Sequence, residues 1–315
     1  MSRFARELLT RLGMLAALSI LVFAGVDLLP GDPVTSRLGI SATPERAAAL
    51  RAQLGLDRPL PARYAEWVSG LFSGNLGLST TGRPVTELLS DRVGNSALLA
   101  GLAVLLLAPL SLGLGLWAAW RRGRVADKTI STGSLLMVSV PEFVVAGGLV
   151  LLFAVTLRWF PAVSLLPAGA SPLAYPEVLV LPVASLVLVG SAYAVRVIRG
   201  AAAQTLAGPQ AEFLRLNGVR WPVLARRLVV PAVLPVAVQV WLVTGVALVG
   251  GAVLVEKVFG YPGIGELLVS SVQTGDLPVV QAVVLVLGAL MLLALLLADL
   301  AVVLLTPRLR TGGAR

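Results

Sequence analysis

The residues able to do chemistry in this sequence are few. There is no histidine and no cysteine among the 315 residues, which removes disulfides, thiol chemistry, imidazole acid–base catalysis and most transition-metal ligands. Three carboxylates, Asp27, Glu142 and Asp299, lie in or near long apolar runs. A carboxylate in hydrocarbon is costly, so by default it marks a pathway or a partner. Placement near a span end or a kink, or a structural pairing, is the competing reading for all three. No carboxylate cluster and no metal-ligand spacing accompanies them. The phosphate-loop pattern G-x-x-x-x-G-K-[ST] is absent as well, so the chain is not expected to hydrolyse ATP itself. We expect no catalytic residue, no cofactor and no metal site.

A second group could bind rather than react. The stretch "QAEFLRLNGVRWPVLARRLVVPAVLP", residues 210–235, holds four arginines, one glutamate, one glycine and three prolines. Residues 210–216 read as a helix, with Phe213, Leu214 and Leu216 as apolar contacts and Glu212 and Arg215 as charges. Gly218 can end that helix in a left-handed conformation. Trp221 and Pro222 start another helix, and Pro231 and Pro235 fall where it enters the membrane. A short charged amphipathic helix held off the bilayer suits docking of a soluble partner. A basic loop touching anionic lipid explains the same charges, and Arg226 and Arg227 are expected at lipid headgroups. A third group, Gly260, Pro262, Gly263 and Gly265, makes a turn-rich segment. It reads as a re-entrant or interfacial piece near an outer gate, or as an ordinary loop.

The elements that must position these groups are apolar. Hydrophobic residues make up 57% of the chain and charged residues only 13%, about half the usual share of charge. Six runs are long enough to cross a bilayer: about 12–29, 96–120, 129–157, 178–195, 232–255 and 279–305. The expectation is an all-α polytopic membrane protein of six transmembrane helices. The first run follows Arg3, Arg6 and Arg11 and is read as an uncleaved span, for want of a small-residue cleavage site. Residues 30–95 form an extramembrane region. In it, Thr43 and Pro44 start a helix that Gly55 ends, and Tyr64, Trp67, Val68 and Leu71 recur at helical spacing. Pro141 kinks the third span.

Six spans put both termini on one side. That side holds 16 of the 25 basic residues, so the inside charge bias makes both termini cytoplasmic, with the connection 196–231, and makes residues 30–95 extracytoplasmic. The same bias accounts for the net charge of +9 without a nucleic-acid partner.

Spacing then carries a family resemblance. From Glu212, Gly218 follows after five residues, and after nine more comes Leu228-Val229-Val230-Pro231. This is similar to the EAA loop of binding-protein-dependent ABC importer permeases, with Phe213 and Leu214 in place of two alanines. Several stretches resemble the dipeptide/oligopeptide/nickel permease subfamily: "LLPGDPV" at 28–34, "QLGLDRPL" at 53–60, "GNLGLSTTGRPVTELLSDRV" at 74–93, "VPEF" at 140–143 and "RWFPA" at 158–162. So do "EKVFGYPGIGELLVSSVQTGDLPVVQ" at 256–281 and "TPRLR" at 306–310. The resemblance runs nearly full length. It implies a MetI-like permease fold in a bacterial or archaeal cytoplasmic membrane. Residues 1–29 would form the N-terminus and first helix, 96–305 the five-helix core and 306–315 a cytoplasmic tail. It implies half of a pore completed by a second homologous permease subunit. Two cytoplasmic ATPase subunits would dock on a coupling helix at Glu212, Phe213, Leu214, Arg215 and Gly218, and an extracytoplasmic solute-binding protein would deliver the substrate. Membrane lipid is the remaining partner. Peptides are the favoured substrate on the breadth of the subfamily, with nickel chelates, glutathione or another small solute as alternatives. An ion-coupled secondary transporter is the rival of another class. It predicts internal repeats, no clear repeat is found, and it leaves the long basic loop unexplained.

Overall fold

The computed structural model describes residues 3–28, 43–45, 48, 57–167 and 169–305. Among these, regular structure is helical apart from one isolated bridge between Leu78 and Pro84. In chain order the helices are α1 (Arg3–Leu28), α2 (Leu60–Phe72), α3 (Val85–Trp120), α4 (Val125–Ser139) and α5 (Glu142–Leu149). Then come α6 (Glu177–Leu206), α7 (Pro209–Leu216), α8 (Trp221–Leu224), α9 (Val230–Phe259), α10 (Ile264–Thr274) and α11 (Leu277–Leu305). Five stretches are long and apolar enough to cross a membrane, and α4 with α5 makes a sixth if that bent pair is one crossing. Helix is the expected answer in hydrocarbon, where every backbone donor and acceptor must be satisfied within the segment.

The spans depart from the sequence expectation in several places. The second span, expected over 96–120, begins as helix at Val85. A tight turn sets that start: Val85 is fully buried and its N–H donates to the Gly77 carbonyl at 3.1 Å. The third span is broken rather than kinked, with 108° between α4 and the segment Glu142–Thr156. Val140 and Pro141 are extended (ψ 129° and 144°), because proline disfavours helix in the residue before it and has no N–H to give. The fourth helix runs past Val195 to Leu206, so much of the connection 196–231 is itself helical. α8 enters α9 through a π-helical turn, Ala225–Val229, without a loop.

The chain divides into two compact units. The first holds Met1–Ser96 and Pro262–Leu292. Its core is Val85, Leu89, Ile264, Leu267, Val279 and Val283, with Ala282. Tyr64 and Trp67, spaced to share one face of α2, meet Phe23 of α1 at 5.5 and 5.4 Å, and the Tyr64 and Ser19 hydroxyls lie 2.8 Å apart. Of the helix expected after Thr43, Pro44 and Glu45 are helical and most of the rest lies outside the described residues. The stretch 29–34, the tail 306–315 and the Asp27 side chain also lie outside them.

The second unit holds Ala97–Tyr261 and Leu293–Arg315. α6 is its most deeply buried span and packs on α4, α5 and α9. Small residues permit this. A Cβ on Gly190 would lie 2.6 Å from Leu107 of α3 and 3.2 Å from Thr244 of α9, and one on Gly115 would lie 2.7 Å from Ile198. Close approach at small residues is how membrane helices gain dispersion energy when burial from water contributes little.

Candidate functional site

The site expected from sequence centres on α7 in the second unit. Pro209 sits in its first turn, where its missing N–H costs nothing. The helix ends in a Schellman motif: Gly218 (φ 71°) donates to the Arg215 carbonyl at 2.9 Å, and Val219 donates to that of Leu214 at 3.0 Å. Gly218 thus takes the conformation its sequence position suggested.

Two faces result. Ala211 is fully buried, and Leu214 packs with Val219 and Trp221 on a cluster built from Ile198, Leu206, Leu224 and Val233. Glu212 and Arg215 are exposed, as are Phe213 (66%) and Leu216 (81%). Glu212, Arg215 and Leu216 line an open depression beside Leu206 and Ala207. The outward surface therefore holds two charges and two large apolar side chains, which no element of this unit covers among the described residues. Leu214, grouped with the outward residues from sequence, faces inward instead, because it is the residue at which the Schellman cap closes its apolar contact. Leu216 takes its place on the surface.

An ion pair braces the same unit. Asp127, 5% exposed, accepts from Arg199 Nε at 2.5 Å and from a second guanidinium nitrogen at 2.8 Å. Gly123 N–H and the Ser131 hydroxyl add donors at 2.9 and 3.3 Å. This bidentate arrangement, with further donors on the carboxylate, is what makes a buried pair tolerable. It fastens the start of α4 to the last third of α6. Trp120, at the end of α3, stacks on Trp221 at 4.9 Å, and the Arg121 guanidinium lies 4.7 Å from the Trp120 ring. Sequence reading missed the Asp127 pair; the available signal was one acid inside the basic loop "RRGRVADK".

The intramembrane carboxylates separate. Glu142 stands at the break between α4 and α5, half-buried, with its carboxylate against α9: a Cβ on Gly251 would lie 2.1 Å from Oε2. Asp299 lies on the exposed surface of α11. Glu256, just beyond the expected end of the fifth span at residue 255, belongs to the last turn of α9 and is 1% exposed. Tyr261, wholly buried, donates its N–H to the Glu256 carbonyl at 2.9 Å. Burial first, and the Glu256 charge second, push its phenol well above the usual range.

The glycine-rich segment is ordered. Gly260 ends α9 in a left-handed turn (φ 60°). Within the first unit, Arg92 pairs with Glu266 at 2.6 Å and reaches the Gly263 carbonyl at 3.3 Å. Asn95 donates to the Pro262 carbonyl at 2.9 Å, and Ser96 Oγ accepts from Ile264 N–H at 2.8 Å. These residues start α10, whose first turn holds Gly265. Asp276, after α10, accepts from the Ser79 hydroxyl and from Thr80 N–H at 3.1 Å. The segment is thus an ordered turn that leads into α10 at Ile264, with polar anchors from α3 on Pro262, Gly263 and Ile264. Among the described residues no group of acids could hold a metal ion.

Comparison with known proteins gives a consistent result. The family model for the inner membrane component of binding-protein-dependent transport systems matches residues 111–311. The model for the N-terminal part of such membrane components matches residues 1–86. The chain is 37% identical to a putative peptide permease protein of Brucella ovis, covering 96% of this chain and 97% of that one. It is 33% identical to a probable peptide ABC transporter permease protein of Sinorhizobium fredii, over 97% and 98%. It is 35% identical to the oligopeptide transport system permease protein OppB of Mycobacterium bovis, over 99% and 100%. A crystal structure of an amino acid ABC transporter with histidines matches at a TM-score of 0.50 and 16% identity, covering 68% of this chain and 92% of that one. That likeness concerns fold alone.

Proposed function

Because the chain belongs to the family of inner membrane components of binding-protein-dependent transport systems, we propose that it forms half of the pore of an ATP-driven importer of di- or oligopeptides. It is a multi-pass inner-membrane permease subunit. The peptide reading rests on the names of the full-length relatives. A second homologous permease chain completes the pore, and a solute-binding protein delivers peptide on the side opposite α7.

The observation that carries the mechanism is the uncovered face of α7. Glu212 and Arg215 offer charge, and Phe213 and Leu216 offer apolar contact. We assign that face to an ATPase subunit on the cytoplasmic side, with both chain termini on the same side. ATP hydrolysis belongs to the partner. Pressed from the ATPase side, α7 moves as one body with the cluster beneath Leu214, which includes residues of α6 and α9. A two-state change biased from both faces of the membrane needs such a rigid lever. Pro262, Gly263, Gly265 and Gly260, with α10, are assigned to the outer gate. Glu142, at the α4–α5 break, is assigned to the pathway.

The test is transport. Reconstituted in liposomes with its partner permease, ATPases and binding protein, the chain should support ATP-dependent uptake of a labelled peptide. Uptake of glutathione or a nickel chelate, without peptide, would overturn the substrate assignment.

A further inference from the structure

We propose that the cleft between α4 and α6 binds the phosphodiester headgroup of an anionic phospholipid, from the leaflet on the α7 side. The cleft has a volume of about 540 Å³. Ser131, Thr132 and Leu135 line it from α4, and Tyr193, Arg196 and Arg199 from α6.

Charge comes first. Arg199 is already answered by both carboxylate oxygens of Asp127. Arg196 is exposed and makes no ion pair among the described residues. Lys128 is exposed and lies one helical turn before Ser131 and Thr132. The cleft therefore has net positive charge, with hydroxyl donors from both walls.

Depth comes second. The apolar run of α6 from Val178 to Val195 has no charge, and its 18 residues rise about 27 Å, the thickness of a hydrocarbon core. Arg196 is the first charge after it and so stands at headgroup level. Trp120 and Trp221, stacked at 4.9 Å, mark an interfacial belt of the kind membrane proteins use.

Shape comes third. Going along α4 away from the charges, the wall becomes apolar: Leu135 is 51% exposed and Val138, one turn on, is 46% exposed. A charged head beside an uncovered apolar stripe fits an amphiphile better than a peptide, whose backbone would need polar partners along that stripe. Such basic pockets between membrane helices suit anionic headgroups. The lipid would bear on the joint that the Asp127–Arg199 pair fastens. The inference requires only that α6 spans the membrane and is independent of what docks on α7.

Native mass spectrometry of the full chain tests it, with phosphatidylglycerol, phosphatidylcholine of the same acyl chains, and inorganic phosphate. Phosphatidylglycerol should be retained about five-fold better than phosphatidylcholine, the preference one basic side chain supplies near an anionic headgroup. Arg196→Gln should abolish the preference and Arg196→Lys should keep it. Arg83→Gln, at an exposed arginine of the first unit placed at no lipid contact, should leave it unchanged, and excess inorganic phosphate should not displace the lipid. Equal retention of the two lipids, a preference that survives Arg196→Gln, or displacement by phosphate or by peptide would overturn the assignment.

Discussion

At the scale of single residues, two contacts decide how the second unit holds together. Asp127 and Arg199 form the first. Asp127 is 5% exposed and Arg199 30%, so Asp127→Asn leaves a largely covered guanidinium without its counter-charge. Removing one partner of a fully buried pair costs about 3–5 kcal/mol; partial exposure of Arg199 lowers this, and we expect a loss of about 2 kcal/mol. Thermal unfolding in detergent reads it. Asp127→Asn/Arg199→Gln should recover part of the loss, because the stranded charge is then gone. The second contact is Gly115 on Ile198. An added methyl would lie 2.7 Å from a branched side chain and 3.2 Å from backbone, neither of which swings aside easily. Gly115→Ala should cost about 1–3 kcal/mol, as overpacking does. Gly113→Ala, two residues earlier with open space around it, should leave the melting temperature unchanged or slightly raised.

At the scale of elements, the two faces of α7 separate stability from partnership. Phe213→Ser/Leu216→Ser alters only the outward face, so the chain should unfold as before yet lose the ATPase subunits on co-purification. Leu214→Ser alters the inward face and should lower the melting temperature. Retention of the ATPase by the outward double variant would end the docking assignment. The existence of α7 and its glycine stop were legible in sequence, because both follow from spacing and backbone sterics local to residues 209–219. Which apolar residue faces inward was not. Leu214 and Leu216 are alike in composition and differ only in what α6 and α9 bring beneath them. The break at Pro141 shows the same limit. Its chemistry is local, but a bend of 108° also depends on Glu142 finding room against Gly251, 109 positions away. The expected fifth span stops short of Glu256 because the charge pair Glu256-Lys257 interrupts the apolar run. The helix carries that glutamate into a buried position that no periodicity announces.

At the scale of the whole molecule, the orientation proposed above rests on charge rather than on packing. Sixteen of the 25 basic residues fall on the side assigned to α7 and the termini. Arginine and lysine near span ends resist translocation, so the proposed direction rests on this excess without reference to any contact. The absence of native cysteine makes the consequence measurable on an unmodified background. Phe72 at the end of α2 is 90% exposed, Val125 at the start of α4 is 79% exposed and Leu216 on α7 is 81% exposed. Each tolerates a cysteine without disturbing a core. In intact cells whose outer barrier is opened, a membrane-impermeant maleimide should label Phe72→Cys. Val125→Cys and Leu216→Cys should react only once the inner membrane is permeabilised. The reverse pattern would turn the α7 face outward, where no nucleotide-fuelled partner could reach it. Labelling of Val125→Cys and Leu216→Cys from opposite sides would mean that the broken α4–α5 pair and α6 do not each cross once, and the six-span topology would fail with it.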